Sequence, residues 1–63
     1  MIDKNGNELE IFDYVRFKSE IYRIIGFNFL DLYLQDGYFN RSIISTKVEK
    51  LNKNEVLIYL LEK

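Results

Sequence analysis

Leu30, Leu32 and Leu34 alternate with Asp31, Tyr33 and Gln35, and the pair Asp36-Gly37 follows at once. Strict alternation puts successive side chains on opposite faces of a strand, so one face is leucine and the other polar or aromatic. Asp-Gly supplies the positive φ angles that a two-residue hairpin turn demands. A chain built around this unit is committed to an antiparallel sheet with one buried face. The same logic extends in both directions. Tyr14 to Lys18 alternates Val15 and Phe17 with Arg16 and Lys18. Ile21 to Phe27 sets Tyr22 and Ile24 against Ile21, Arg23 and Ile25, and Gly26 marks a bulge or bend. Tyr38 to Ser45 returns from the Asp36-Gly37 turn, and Val48 to Leu51 is a last short strand.

Ser19-Glu20 links the first two strands, and Asn5-Gly6 is a turn dipeptide near the start. Within the hairpin this spacing sets Gln35 against Tyr38 and Tyr33 near Asn40. Five short strands with tight turns predict a mostly β fold, a small SH3-like five-stranded barrel occupying residues 1–63 as a single domain. A chain of 63 residues buries only about 60% of its unfolded surface, so its stability margin is thin. Apolar residues make up 48% and aromatics 16%, which provides a core without disulfides.

The tail leaves two readings open. Val56 to Leu61 is six apolar residues in a row. A strand there is apolar on both faces. A helix there takes Asn52 as N-cap with Glu55 three residues on, the spacing of a capping box. In either form the segment has apolar surface on all sides, which points to a homo-oligomer or partner interface through residues 56–61. The alternative is a tail lying across an open end of the barrel.

The chain has no cysteine and no histidine, so thiolate metal sites, disulfides and the commonest general base are all missing. Its carboxylates are scattered singly, and its three glycines are isolated, which excludes a phosphate-cradling loop. The expectation is a non-enzymatic protein with no cofactor and no metal. Nine basic residues against ten acidic ones lack the excess that dedicated DNA binders carry. No stretch reaches the roughly 18 apolar residues of a membrane span, and the start lacks a signal-peptide pattern, so a cytoplasmic protein is expected.

Residues 3–27 carry a recognisable arrangement: Asp3-Lys4-Asn5-Gly6-Asn7-Glu8-Leu9, then Asp13-Tyr14-Val15-Arg16-Phe17, then Glu20-Ile21-Tyr22-Arg23-Ile24. It resembles the opening of YopX-like and related SH3-like proteins of prophages. The resemblance implies a phage or mobile-element origin and an SH3-like fold, and it brings no catalytic residue. Where that pattern has Gly before the Asp, this chain has Phe12. Asp13 itself is expected to accept backbone N–H groups in the turn that precedes the first strand.

Binding is therefore the expected activity, with Phe29, Tyr33, Tyr38, Phe39, Arg41 and Tyr59 as the candidate contact residues. Tyr and Arg are enriched at protein hot spots, and the charge balance suits a protein partner, as an accessory factor inhibiting or recruiting a host protein. The alternative is a small barrel that stacks single-stranded nucleic acid on the same aromatics beside Arg16, Lys18, Arg23 and Arg41.

Overall fold

The structure, a computed structural model, describes residues 1–36 and 39–62, with Phe39 described by its backbone alone. Strand β1 is Tyr14–Phe17, β2 is Glu20–Asn28, β3 is Asp31–Asp36 and β4 is Phe39–Ile44. A 3-10 turn at Ser45–Lys47 leads to β5, Glu49–Lys50, and helix α1 is Lys53–Leu61. All strand pairs are antiparallel, and their order across the sheet is β4-β3-β2-β1-β5.

The sheet is open, which corrects the barrel expectation. Strands β4 and β5 are opposite edges, and among the described residues they do not pair. Closure needs long, tilted strands whose two edges meet. Here β5 is two residues long and is spent on β1, as Val15↔Lys50 and Arg16↔Glu49.

The buried face collects Val15, Tyr22, Ile24, Leu32, Leu34 and Ile43, with Leu9 and Val48 packed against them. Each comes from the alternation of its strand, so the core follows the pattern in the sequence. Leu30 is the exception among the three leucines. It falls in the β2–β3 turn and is 63% exposed. The expected irregularity at Gly26 is present as a register shift between Ile24 and Gly26. The β3–β4 register differs from expectation: Gln35 faces Asn40 and Tyr33 faces Ser42. Asp36, expected in the turn, ends β3 opposite Phe39, and Gly37 lies outside the described residues.

The N-terminal segment folds onto the β5 edge. Asn5-Gly6 forms the expected turn, with Gly6 at φ 84, and Ile2 bridges Glu8. Its organiser is Asp3, 2% exposed. The Asp3 carboxylate accepts the backbone N–H groups of Asn5 (2.9 Å), Asn7 (2.8 Å) and Lys50 (2.7 Å), and the Asn7 side-chain amide at 3.2 Å. Burial alone would raise its pKa. The hydrogen bonds from Lys50, Asn7 and Asn5 outweigh burial and hold the carboxyl below its ordinary value. Asp13 plays its expected part by accepting the Glu10 N–H at 2.9 Å.

The tail is a helix, closed by the reciprocal cap: Glu55 N–H donates to the Asn52 side chain at 2.8 Å, and Asn52 N–H to the Glu55 carboxylate at 3.1 Å. A helix satisfies its own backbone, whereas a strand at this point would need a sheet edge to pair with. The helix lies against the face of β1 opposite the core. Arg16 joins Glu49 at 3.0 Å and Glu55 at 3.2 Å, and the Tyr59 ring centre is 5.5 Å from that of Tyr14.

The β1–β2 turn is Lys18-Ser19, one residue earlier than the expected Ser19-Glu20 link, because Phe17 pairs with Glu20. Both turn residues have positive φ, 50 and 68. This is the type I′ geometry that Asn-Gly fits with least strain. The double substitution Lys18→Asn, Ser19→Gly is expected to raise stability by about 1–2 kcal/mol, or several degrees in Tm for a domain this size. A thermal melt followed by circular dichroism checks it, and an unchanged or lower Tm contradicts the turn assignment.

Candidate functional site

The face of the sheet opposite the core carries Tyr14 and Arg16 from β1, Ile21 and Arg23 from β2, Tyr33 from β3, and Ser42 and Ile44 from β4, by the registers Arg16↔Ile21, Tyr14↔Arg23 and Tyr33↔Ser42. Helix α1 covers part of its β1 side. Tyr33, Ile25 and Ile44 stay exposed on large fractions of their surface. The Tyr33 ring lies over Gly26: a Cβ at that position would sit 3.4 Å from Tyr33 Cδ2. The missing side chain thus gives the ring a flat seat beside the bulge.

At the β2–β3 turn, Asn28 pairs with Asp31, so Phe29 and Leu30 form a two-residue loop. Phe29 has φ 55 and is 91% exposed. A bulky L residue at positive φ pays roughly 1–2 kcal/mol relative to glycine. Within the chain almost nothing covers this ring. Leu30 beside it is anchored by its carbonyl, which accepts the Ser45 N–H at 2.8 Å, so the tip is held by the β3–β4 ladder. Together they present two adjacent large apolar side chains at one end of the sheet.

The structure separates the candidate contact residues. Phe29 and Tyr33 are both exposed. Arg41 sits on the core side of β4, where its guanidinium donates to Tyr22 Oη at 3.1 Å and lies 5.2 Å from the Phe17 ring centre. Tyr22 Oη in turn donates to Glu20 at 2.7 Å. Arg41 is exposed at the rim of the core, beside a cleft it lines with Glu20, Tyr22, Asp36 and Asn40, and belongs to the other side of the sheet from Tyr33. Tyr59 is half-buried against Tyr14 and holds α1 in place. Tyr38 and the Phe39 side chain lie outside the described residues.

Sequence reasoning missed several exposed groups. Ile25 was set on the outer face by alternation but not counted as a contact residue, and it is 39% exposed beside the bulge. Phe12 is 60% exposed at φ 76, and the Arg23 guanidinium lies 4.3 Å from its ring centre. The signal for Phe12 was available: it stands where the prophage-like pattern has Gly, and positive φ is what that Gly would serve. On α1, Leu57, Ile58, Leu60 and Leu61 are exposed, with Ile58 at the edge of the cleft that α1 forms with Arg16 and Ile21. About half of the surface of Leu57, Ile58 and Leu60, and most of that of Leu61, is uncovered by the described residues.

The cations are largely engaged. Arg16 is bridged to Glu49 and Glu55, Arg23 stacks on Phe12, Arg41 is held by Tyr22, and Lys4 and Lys50 reach Glu49 and Asp13 at 3.8 and 3.4 Å. Among the described residues no three potential metal-ligating side chains gather, and no helix is long and apolar enough to cross a membrane. Comparison with protein-family models, with curated proteins and with solved structures finds no match.

Proposed function

We propose that the chain is a non-catalytic binding module that docks onto a protein partner, with the Phe29–Leu30 hairpin tip as its anchor. The observation that carries this reading is Phe29: an aromatic ring 91% exposed, in a backbone conformation that disfavours it, with no contact among the described residues to offset the strain. Strained residues on display are found where a ligand or partner repays them. Aromatic anchors that fill a partner's pocket carry much of the energy of an interface. The exposed residues of α1, Leu57, Leu60 and Leu61, add a second apolar surface to the same reading. The resemblance of residues 3–27 to prophage proteins supports an accessory role, inhibiting or recruiting a host protein in the cytoplasm.

A single-stranded nucleic acid ligand is less well supported. It needs cations beside the stacking rings. The arginines expected to supply them are bound to acids, to Phe12 or to Tyr22, and Asp31 adjoins the hairpin tip.

Phe29→Gly separates fold from function. Glycine accepts φ 55 without strain, so the variant is expected to gain about 1 kcal/mol of stability. The same change removes the anchor, and partner affinity is expected to fall at least about 30-fold, the equivalent of 2 kcal/mol. Tagged wild-type and Phe29→Gly proteins are compared as baits in nuclease-treated host lysate, with thermal melts alongside. A partner retained equally by the more stable variant sinks the anchor. A partner lost on nuclease treatment moves the nucleic-acid reading to first place.

A further inference from the structure

Strand β4 is an open edge, and its backbone shows which groups are on offer. Ser45 N–H donates to the Leu30 carbonyl, one residue beyond the pair Asp31↔Ile44. In an antiparallel ladder, residues that bond to the neighbour alternate with residues that bond away from it. Counting back from Ser45, Ile43, Arg41 and Phe39 face β3. Asn40, Ser42 and Ile44 therefore turn their N–H and C=O groups outward. Among the described residues none of these outward groups has a backbone partner.

Natural sheets guard such edges with proline, an edge-facing lysine, a bulge or a cover. Among the described residues the β4 edge has none of these, and its single guard is the inward-pointing charge of Arg41. The chain has no proline, and the β3–β4 register runs unbroken over six pairs. The one charge on the strand, Arg41, is turned to the core side and tied to Tyr22. The opposite edge is treated differently. Strand β5 has two residues, and the N-terminal turn closes over it through Lys4 N–H to Val48 O at 3.0 Å and Lys50 N–H to Asp3.

We infer that a second copy of this chain pairs antiparallel with β4, with Ser42 facing Ser42 of the other copy across a two-fold axis. Charge, backbone parity and the number of bonds select this register. Among the described residues of β4 only 40, 42 and 44 offer outward groups, so they must face one another, and centring on Ile43 would pair only Ser42 with Ile44 and form about four bonds. A register two residues shorter sets Arg41 directly against Arg41 of the other copy, which like-charge repulsion disfavours. Centring on Ser42 sets Arg41 against Ile43 and Asn40 against Ile44, leaves no like charges directly opposed, and forms about six backbone hydrogen bonds. It makes one ten-stranded sheet. The outer faces of both copies lie on the same side, which brings the two Ile44 side chains and the two Tyr33 rings toward the axis.

The absence of cysteine allows a direct test on the full chain. In this register the Cα atoms of the two residues at position 42 lie about 5.5 Å apart, within disulfide reach. Residue 40 faces residue 44, so two residues at position 40 are about 13 Å apart. Under mild oxidation Ser42→Cys is expected to form a covalent dimer. Asn40→Cys and Ile44→Cys alone should not, and a mixture of those two should. Sedimentation equilibrium of the unmodified chain is expected to show a monomer–dimer equilibrium that Ser42→Pro abolishes. Proline is tolerated where the N–H points away from the sheet, so circular dichroism should be unchanged; Ser42→Lys is the companion variant if proline disturbs folding. The dimer should survive Phe29→Gly, and partner capture should survive Ser42→Pro, which keeps the two readings apart. A chain that stays monomeric at the highest attainable concentration overturns the inference and leaves the edge to a strand of another protein. Cross-linking through Leu57→Cys in place of Ser42→Cys overturns it in favour of pairing through α1.

Discussion

Replacing Asp3 by alanine is expected to cost about 3 kcal/mol, enough to leave a large fraction of the protein unfolded at 37 °C. The side chain is nearly inaccessible and accepts four hydrogen bonds, three of them from backbone N–H groups at Asn5, Asn7 and Lys50. Alanine strands those donors in a site closed to water, and leaving a charge-assisted bond unmade there costs more than forming it gains. The Lys50 bond crosses from the N-terminal turn to β5, so its loss also loosens the sheet edge. Asparagine is a weaker substitute, because its NH2 end would face a donor. The pH dependence follows from the lowered pKa of Asp3. A carboxyl whose folded pKa lies below its unfolded value contributes stability that is fully present above the unfolded value, near 3.8, and is lost as pH falls through the folded one. Urea melts of wild type and Asp3→Ala should therefore differ most at pH 7, and the gap should narrow only below about pH 4. A constant gap from pH 7 to pH 2 would show that Asp3 acts through packing instead of charge.

Leu34→Ala is expected to destabilise by roughly 2–5 kcal/mol, while Leu30→Ala changes stability by less than about 0.5 kcal/mol. The two residues hold equivalent places in the leucine alternation, so the sequence pattern treats them alike. In the structure Leu34 is 0% exposed, packed among Val15, Tyr22, Ile24 and Leu32, and truncation leaves a cavity that rigid strands cannot close. Leu30 is at the hairpin tip, and its structural role is carried by its carbonyl, which alanine retains. For a domain of this size Leu34→Ala removes much of the whole stability, and guanidinium melts read the loss, with an absent folded baseline marking the upper end of the range. Equal destabilisation by the two substitutions would show that β3 starts earlier and that Leu30 is in the core. A loss of partner affinity in Leu30→Ala without loss of stability would extend the anchor from Phe29 to its neighbour.

The same pair of leucines shows how far local pattern carries. Alternation identified the faces of β1, β2 and β3, because a period of two is a property of the extended backbone itself. The capping residues Asn52 and Glu55 were readable for a similar reason: their bonds span three residues and need no distant partner. Closure of the sheet was not readable. It depends on whether β5 reaches β4, which is settled by strand lengths and by the 3-10 turn at Ser45–Lys47, and no local signal reports it. The β3–β4 register was missed by two residues, because an expected turn position fixes every pair downstream of it.

For the candidate site the division is similar. That aromatics would be exposed near the β2–β3 turn could be expected from Phe29 and Tyr33 alone. Which side of the sheet each candidate occupies could not, and Arg41 and Tyr59 turn out to serve the chain's own packing. The sequence alone determined a small antiparallel β protein, since strand alternation and turn dipeptides act over a few residues, and it left the tail open between a helix capped by Asn52 and a strand. Only the tertiary structure decided that the sheet stays open, that Asp3 ties the N-terminus to β5 and that Arg41 turns to Tyr22 on the core side of β4, because each depends on residues far apart in the chain meeting or failing to meet.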